Sequence, residues 1–576
     1  MGRLEEMRRR RRRRARQRAL VAAGALAVTG AGLGVWAVMR PAPVRSVGAT
    51  AAAAQQHAPT SPSTGHSSPT ATTATSPTTT ASSSGSASPG ALVTSTAGSG
   101  YGQEAAWVIA ENARPGSSDW QIQGSPPGHI DGYADHTSAT NGETVALYVS
   151  TDAASYRIEA FRMGYYGGEG ARLVWSSGAE IGSEQAQCVK APIVNMVSCD
   201  TWTPSVQVAI GPDFVPGDYL LKLVGAGGQQ SYVPLTITDP SSNAAYLVEN
   251  DIYTWQAWNP FGGYDFYQGV GQCPSGVYPV CDRARVVSFD RPYGYGQGAG
   301  DFLGNEYPLI RFMEQHGLDV SYATSADIEQ EPSMLLQHRA LLSLGHDECW
   351  SYSERLSAEQ AEQKGVNMIF FGASAMLRHV RLEPSPLGPM RQEVDYRDSG
   401  ADPINGTGQP KQVTGNTWSD PPASWSQVPF VGEQYTGYVE PGYKPVDLVV
   451  YDGSSWLFAG TGLKSGDKVP GLLVSDFDQV EPGMSPDNVE VLAHSPMPRR
   501  EVQSNVRNPA SDAAYWTDAR SGAGVFDSGT VTWIPDLQSS PAVDQMTGNL
   551  FKLFGEGPAG QTTPSVPNWR QIYLYG

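Results

Sequence analysis

The sequence predicts a multidomain α/β plus all-β protein, with an N-terminal transmembrane helix, a disordered stalk, a β-sandwich and then an α/β domain. An uncharged stretch of membrane length lies near the N-terminus, and a segment rich in Ser, Thr, Ala and Pro follows it. Near residue 240 the pattern changes from alternating strands to a strand–helix–strand order. The predicted segments are therefore residues 1–18, 19–39, 40–100, 101–240 and 241–576.

The first two segments predict a membrane anchor. Residues 1–18 hold ten arginines and two glutamates, and residues 19–39 carry no charge. About 20 apolar residues suffice for a helix to cross a bilayer core, and the arginines predict a cytoplasmic N-terminus. We expect a single-pass cell-membrane protein with an uncleaved anchor and most of its chain extracellular. Cleavage of a signal peptide within the Ala-rich stretches that follow Thr50 is the alternative.

The stalk has no Asp, Glu, Lys or Arg between Arg45 and Ala97. Such a segment buries too little apolar surface to offset chain entropy, so it is expected to be disordered, and its composition is typical of O-glycosylated stalks. The net charge is −18 in spite of the basic tail, so the ectodomain is strongly acidic. This argues against nucleic acid as a partner.

Five cysteines suit an oxidising compartment. Short spacings allow Cys188 to pair with Cys199, and Cys273 with Cys281, which leaves Cys349 over. There is no Cys-x-x-Cys motif, so a metal site built from all five is not favoured.

The two folded regions differ in their strand patterns. Short alternating strands separated by Gly- and Pro-containing turns predict the sandwich; they are Val145–Ser150, Tyr156–Phe161, Tyr219–Val224 and Val233–Thr238. Apolar strands that alternate with helices predict a parallel sheet in the second region; the strands are Val286–Phe289, Val320–Thr324, Ala340–Leu344 and Val366–Phe371, and the helices are Glu306–His316 and Ser357–Lys364, closed by Gly317 and Gly365. Further candidates are strands at Leu448–Tyr451, Gly471–Asp476 and Val531–Ile534, and a closing helix that includes Asn549–Phe554.

The strand Ala340–Leu344 leads directly into His346, Asp347 and Glu348. In an α/β fold such a loop faces a crevice at the carboxyl edge of the sheet. Ionisable side chains cost free energy to bury unless they are paired, so this loop is the candidate functional site. The alternative is a solvated loop with a capping Asp.

Several strings in the second region together resemble the large-subunit family of N,N-dimethylformamidase. They occur in order along the chain: Tyr253-Thr-Trp-Gln-Ala-Trp-Asn259, Gly262-Gly263 with Tyr267, Val287-Ser-Phe-Asp-Arg-Pro-Tyr293, Glu306-Tyr-Pro-Leu-Ile-Arg311, Asp319-Val-Ser-Tyr-Ala-Thr324 and Gly345-His-Asp-Glu-Cys-Trp350. The resemblance covers most of residues 240–576.

The resemblance implies a glutamine-amidotransferase-like α/β domain with one iron held by two tyrosines and a glutamate. Iron(III) would act as a Lewis acid on a linear amide. Carried over to this sequence, the glutamate is Glu348, one tyrosine is Tyr267, the second is Tyr253 or Tyr264, and His346 is the neighbouring catalytic group. The family's enzyme also requires a small subunit, which this chain does not evidently contain.

Three positions depart from the family pattern. Trp258 stands where the second tyrosine is expected, Cys349 stands where tyrosine is common, and Ser374 replaces an asparagine expected to orient the substrate. An indole nitrogen is only a donor and cannot bind iron. The departures keep open a rival function, a surface binding protein that has lost its metal site.

Two other chemistries are compatible with the sequence. Ser374 follows a strand as in a nucleophile elbow, with His346 or His379 as base, although Met376 stands where the turn needs a small residue; Cys349 is a weaker nucleophile candidate. An extracellular glycan-active enzyme is the second of these, with Asp476 and Asp478 as paired carboxylates and Trp255, Trp258 and Trp350 as sugar-stacking rings. The structural alternatives are that the two aspartates cap a strand end and that the tryptophans pack in the core. The partners expected are the cell membrane, a small amide or cell-surface polymer as substrate, and a second copy of the chain.

Overall fold

The computed structural model of the chain describes residues 100–576, apart from Ser125, residues 271–281 and residues 575–576. The predicted transmembrane helix at 19–39, the stalk and the predicted Cys273–Cys281 pair lie outside these residues. Within the described part, no helix combines the length and the apolar character needed to cross a membrane.

The first described region is rich in β-strands. The four strands predicted here are confirmed with small shifts at their ends, and some of them, such as β10, are buried on both faces. The elements are helix α1 (Ala106–Asn112) and strands β1 (Ile130–Ala134), β2 (Ser138–Ala139), β3 (Thr144–Thr151), β4 (Ser155–Met163), β5 (Ala171–Ser176), β6 (Glu180–Ile181), β7 (Val189–Ala191), β8 (Met196–Ser198), β9 (Val206–Ala209), β10 (Gly217–Gly225) and β11 (Gln230–Ile237).

These strands form two main sheets and a small hairpin. One sheet has the order β1-β3-β9, the other has the order β2-β11-β10-β4-β5 with β6 paired to β4, and β7 pairs with β8. Side chains from both main sheets share one buried cluster, which includes Leu147 of β3 and Leu221 of β10. The predicted disulfide between Cys188 and Cys199 is confirmed and closes the β7–β8 hairpin.

The second region alternates strands with helices up to residue 372. Its elements are β12 (Tyr246–Asn250), α2 (Ile252–Ala257), β13 (Val286–Ser288), α3 (Tyr307–Gln315), β14 (Val320–Thr324), α4 (Ser325–Gln330), β15 (Ala340–Gly345), β16 (Cys349–Ser351), α5 (Tyr352–Glu362) and β17 (Asn367–Gly372). Gly317 and Gly365 follow helices with φ of 64° and 98°, which confirms their predicted role as helix stops.

The last part of the chain is β-rich, as predicted, and ends in helices. Its elements are β18 (Arg378–Ser385), β19 (Gly388–Val394), α6 (Val428–Val431), β20 (Gln434–Val439), β21 (Val446–Val449), β22 (Lys468–Leu473), β23 (Asp476–Gln479), β24 (Glu490–Pro496), β25 (Val502–Ser504), β26 (Ala510–Thr517), β27 (Gly524–Asp527), α7 (Pro541–Phe554) and α8 (Trp569–Tyr573). The predicted closing helix is the C-terminal half of α7.

The central sheet has seven strands in the order β14-β12-β15-β17-β27-β26-β24. Its first five strands are parallel, which confirms the predicted parallel pairing, and β26 and β24 extend it antiparallel. Smaller sheets combine β13-β19-β18-β16, β23-β20-β25 and β21-β22. The carboxyl ends of β12, β15 and β17 therefore lie side by side at one edge, where parallel sheets present loops to a crevice.

Several predictions in this region were wrong. Val286–Phe289 is not a strand of the parallel sheet, because β13 pairs antiparallel with β19. The central strand β12 was not predicted, since its apolar run is cut by Glu249 and Asn250, both buried polar residues. Residues Val531–Ile534 form turns; Trp533 and Ile534 are apolar because they are buried in the core.

Two element boundaries also moved for identifiable reasons. The helix predicted from Ser357 begins at Tyr352, because Ser351 and Glu354 form a capping box that fixes an earlier start. The predicted strand Gly471–Asp476 divides into β22 and β23, since Ser475 has φ of 72° and turns the chain between them.

A buried ion pair joins the two regions. Arg162 of β4 and Glu314 of α3 are both fully buried and lie 2.7 Å apart, Nη2 to Oε1. Arg162 Nη1 donates to Glu314 Oε2 at 3.0 Å, and the Tyr322 hydroxyl donates to Glu314 Oε1 at 2.6 Å. Breaking such a pair by removing one partner is costly, since a buried charge is then left uncompensated.

Candidate functional site

The candidate loop leaves the sheet through a tight turn at the end of β15. Gly345 has φ of 60°, and a Cβ there would lie 2.7 Å from the carbonyl oxygen of Asn305, so glycine is required. The loop is then fixed from α2, because the backbone N–H groups of Glu348 and Cys349 donate to Thr254 Oγ1 at 3.2 and 3.1 Å. Glu348 is thereby held at the carboxyl edge of the sheet with 3% of its surface exposed.

Three side chains converge on the Glu348 carboxylate. The Tyr267 hydroxyl donates to Oε1, and Arg378 Nε donates to the same oxygen at 3.0 Å. His346 Nε2 lies 3.0 Å from Oε2. Two of these partners, Tyr267 and His346, were singled out from the sequence, and the structure brings both to Glu348.

The Tyr267 ring is fixed between two flat groups. Trp258 stacks on one face, with ring centroids 3.5 Å apart and an interplanar angle of 11°, and the Arg397 guanidinium lies 4.1 Å from the ring centroid. Asp265 Oδ1 accepts the backbone N–H of Tyr267 at 2.7 Å. Trp258 therefore orients the Tyr267 phenol by stacking on its ring, although an indole cannot bind a metal itself.

His346 also connects Glu348 to a second carboxylate. Its Nε2 lies 3.4 Å from Asp476 Oδ2, and that oxygen accepts the Ser374 hydroxyl at 3.0 Å. The Ser374 backbone N–H donates to both oxygens of Asp478 at 2.9 Å. The carboxyl ends of β15 and β17 and the start of β23 thus meet around one imidazole.

The charges in the cluster reinforce one another. Burial alone would lower the pKa of His346, but Asp476 and Glu348 outweigh burial and raise it well above its usual value. Burial would raise the pKa of Glu348, yet His346, Arg378 and Arg397 hold it well below its usual range. Burial and the neighbouring Asp476 raise the pKa of Asp478 to about 7, although the Ser374 N–H opposes this. His346 therefore lies between two acidic side chains that both favour its protonated form.

The other predicted site residues lie elsewhere or have different surroundings. The Tyr253 hydroxyl donates to Glu329 at 2.9 Å instead of to Glu348. Ser374 has φ of 60°, as a nucleophile elbow would, but its hydroxyl is bonded to Asp476 and not to a histidine. Cys349 is buried and unpaired within the described chain, and burial raises the pKa of its thiol well above the usual value, which makes it a poor nucleophile.

The His379 ring stacks on Trp418, with ring centroids 3.7 Å apart, and makes no hydrogen bond to Ser374 within the described residues. Burial, followed by the charges of Arg355 and Arg381, lowers its pKa to about 3. The unfolded chain takes up this proton below its ordinary pKa of 6.5, whereas the folded chain does so only near 3. His379 therefore makes stability fall as the pH falls from about 6.5 toward 3.

We expect His379→Phe, which keeps an aromatic ring against Trp418, to flatten this dependence. The difference in unfolding free energy between variant and parent will change by about 1.4 kcal/mol per pH unit between pH 6 and 4. Denaturant titrations at three pH values measure it. The same change at the half-exposed His129 is the control, and parallel curves for the His379 variant and its parent would contradict the assignment.

Sequence reasoning missed four members of the cluster. Asp476 was considered only together with Asp478, as a pair for glycan chemistry, and Arg378 was given no role. Arg397 has a φ of 50° in the structure, which is rare for a residue with a side chain and is often found at functional sites. Tyr435 lies opposite Asp478 in the β20–β23 pair, and burial, Asp476 and Glu348 raise the pKa of its phenol.

The donors suit a hard cation. Phenol and carboxylate oxygens are ligands that iron(III) favours, and the buried His346 Nε2 makes no well-aligned hydrogen bond within the described chain. No group of three or more His, Cys, Asp or Glu side chains in that part of the chain is arranged to hold a metal ion. The residues therefore fit iron only with phenol oxygen from Tyr267 as a ligand beside Glu348.

Fold and site together define a β-rich protein whose ionisable cluster lies at the carboxyl edge of a mostly parallel sheet. The family model described as N,N-dimethylformamidase beta subunit-like, C-terminal, matches residues 157–547. This chain therefore belongs to that family, as its sequence motifs predicted. The match begins within β4, so it includes much of the first β-rich region, which the motifs alone did not cover.

Two further comparisons add no argument about function. No curated protein matches the chain. Among solved structures, the crystal structure of a Paenibacillus sp. cycloisomaltooligosaccharide glucanotransferase complexed with cycloisomaltoheptaose has 8% sequence identity, covers 63% of this chain and 67% of its own, and has a TM-score of 0.15.

Proposed function

We propose that this chain is a metal-assisted hydrolase that cleaves an amide-type C–N bond. The observation that supports the proposal most strongly is the convergence of Tyr267, His346 and Arg378 on Glu348, with Asp476 on the far side of the imidazole. Glu348 and Tyr267 would hold iron, and Tyr435, which lies opposite Asp478 in the β20–β23 pair, would supply the second phenol in place of Trp258. When bound, iron(III) would polarise the amide carbonyl and lower the pKa of a water.

The protein's own residues then handle the protons. Asp476 accepts a proton from the attacking water, and His346, which carries a proton between two carboxylates, donates one to the departing amine. Proton transfer by positioned groups contributes about 10²- to 10⁴-fold in rate. Ser374 holds Asp476 through its hydroxyl, so it is a positioning residue in this proposal and not a nucleophile.

The wider setting is part of the proposal. The two sheets of the first region would form the predicted β-sandwich, and the parallel sheet with its helices would be the glutamine-amidotransferase-like domain. Residues 19–39 would anchor the protein in the cell membrane, with the substrate a small amide or an amide of a cell-surface polymer. The strongly acidic composition of the ectodomain suits this location.

Asp476→Asn tests the division of roles. We expect hydrolysis of small amides, including N,N-dimethylformamide, to fall at least 100-fold, because the acid–base carboxylate is lost. Metal content will stay unchanged, since Asp476 is not a ligand. Elemental analysis and amine release are measured together. Asp487→Asn, at a side chain 91% exposed, is the matched control; equal amine release from both variants would refute the assignment of Asp476.

A further inference from the structure

The arginines beside the cluster have donor capacity that the protein does not use. Arg378 donates through Nε to Glu348 at 3.0 Å and through Nη1 to the backbone and side-chain oxygens of Asn416 at 2.7 and 2.9 Å. Within the described residues its Nη2 has no hydrogen-bond acceptor, and this atom is not among the buried unpaired ones. Two N–H bonds of Arg378 thus remain available beside Glu348.

Arg397, whose guanidinium lies over the Tyr267 ring, also has an unused donor. Its Nε donates to Asp395 at 2.9 Å. Its Nη2 is buried without a partner among the described residues. An unpaired donor of this kind costs free energy unless a ligand satisfies it.

Positive charge is concentrated around these two groups. Arg283 and Arg285 directly precede β13, Arg397 follows β19, and Arg378 begins β18; the pairing of these strands brings the four arginines to the same end of their sheet. In a chain with a net charge of −18, four arginines at one end of the β13-β19-β18-β16 sheet are a local exception. Asp395 and Glu348 are each already paired with one of them.

We propose that Arg378, assisted by Arg397, binds a carboxylate on the substrate, so that the preferred substrate is an amide bearing an anionic group. An arginine fork matches the geometry of a carboxylate. The contact would place the anionic end of the substrate on the Tyr267 side of Glu348, and the C–N bond near His346. This inference rests on the proposed function for its choice of an amide, but the recognition itself is tested by binding alone.

The experiment compares two probes, N-acetylglycine and its neutral relative N-methylacetamide, by calorimetry on the full chain. We expect N-acetylglycine to bind about tenfold or more tightly, the effect of one hydrogen bond to a charged group. Arg378→Gln will reduce the preference to about twofold or less, Arg378→Lys will retain part of it, and Arg500→Gln at an exposed site will leave it unchanged. Equal binding of both probes by the parent, or an unaltered preference in Arg378→Gln, would overturn the inference.

Two further readouts keep the result decisive. If Arg378→Gln does not fold, the parent is titrated from 0.05 to 0.5 M NaCl, roughly the range over which charge screening becomes strong; a preference that weakens with salt supports the inference, and one that persists refutes it. Amine release is measured separately. A binding preference without hydrolysis would refute only the catalytic proposal, and hydrolysis without a preference would refute only the carboxylate contact.

Discussion

Replacing Glu348 by glutamine will abolish iron binding by the full chain. Glutamine has nearly the same shape, so the fold is kept, but its neutral amide cannot supply the anionic oxygen that a trivalent cation requires. Arg378 and His346 also lose the charge that both of them contact. Outer-shell changes alone typically cost about 10- to 100-fold in metal affinity, so loss of a direct ligand will cost at least about 100-fold.

This prediction is checked by elemental analysis after dialysis against iron-containing buffer, with thermal unfolding as a test of folding. Glu184→Gln, at an exposed position, is the control and will behave like the parent. Hydrolysis of amides will disappear together with the metal. A folded Glu348→Gln protein with the iron content of the parent would show that Glu348 is not a ligand.

Glu314→Gln will have the largest effect on stability. The substitution leaves the fully buried Arg162 cation facing a neutral amide, and removing one partner of a buried ion pair costs about 3–5 kcal/mol. Because the pair joins β4 to α3, both regions will lose stability in one transition. Denaturant unfolding followed by tryptophan fluorescence measures the change.

The control for this prediction is the double variant Arg162→Met with Glu314→Leu. Replacing both charges by apolar groups removes the uncompensated charge, and such exchanges are often close to neutral. We expect the double variant to be more stable than Glu314→Gln alone. The cycle closed with the single variants Arg162→Met and Glu314→Leu will show a coupling energy. Additive losses would mean that the two side chains contribute independently.

The sequence predicted those parts of the fold in which local pattern and burial agree. Val320–Thr324 is a strand with the predicted bounds, since both faces are buried and the run is wholly apolar or small. β12 was missed because buried polar groups interrupt its pattern, and Val531–Ile534 was misassigned because its apolar side chains fill the core from a turn. The hydrophobic pattern of a sequence indicates which residues are buried more directly than it indicates which backbone conformation they adopt.

The candidate site shows the same limit. His346, Glu348 and Tyr267 were found because a strand end and a family motif identify them. Asp476, Arg378 and Arg397 are distant from Glu348 in sequence. The parallel pairing of β16 with β18 places Arg378 beside Cys349, and Arg397 follows β19, which pairs with β18. Tyr253 was chosen for its nearness in sequence, but its hydroxyl is bonded to Glu329. No local sequence pattern shows which residues of different strands will lie close together in the folded protein.

The iron content of the unaltered full chain tests the central claim most directly. The protein is purified, supplied with iron(III), dialysed and examined by elemental analysis and visible absorption. The account predicts close to one iron per chain and a phenolate-to-iron(III) absorption band that Tyr267→Phe removes or shifts. A folded chain that retains no iron and shows no such band would contradict it.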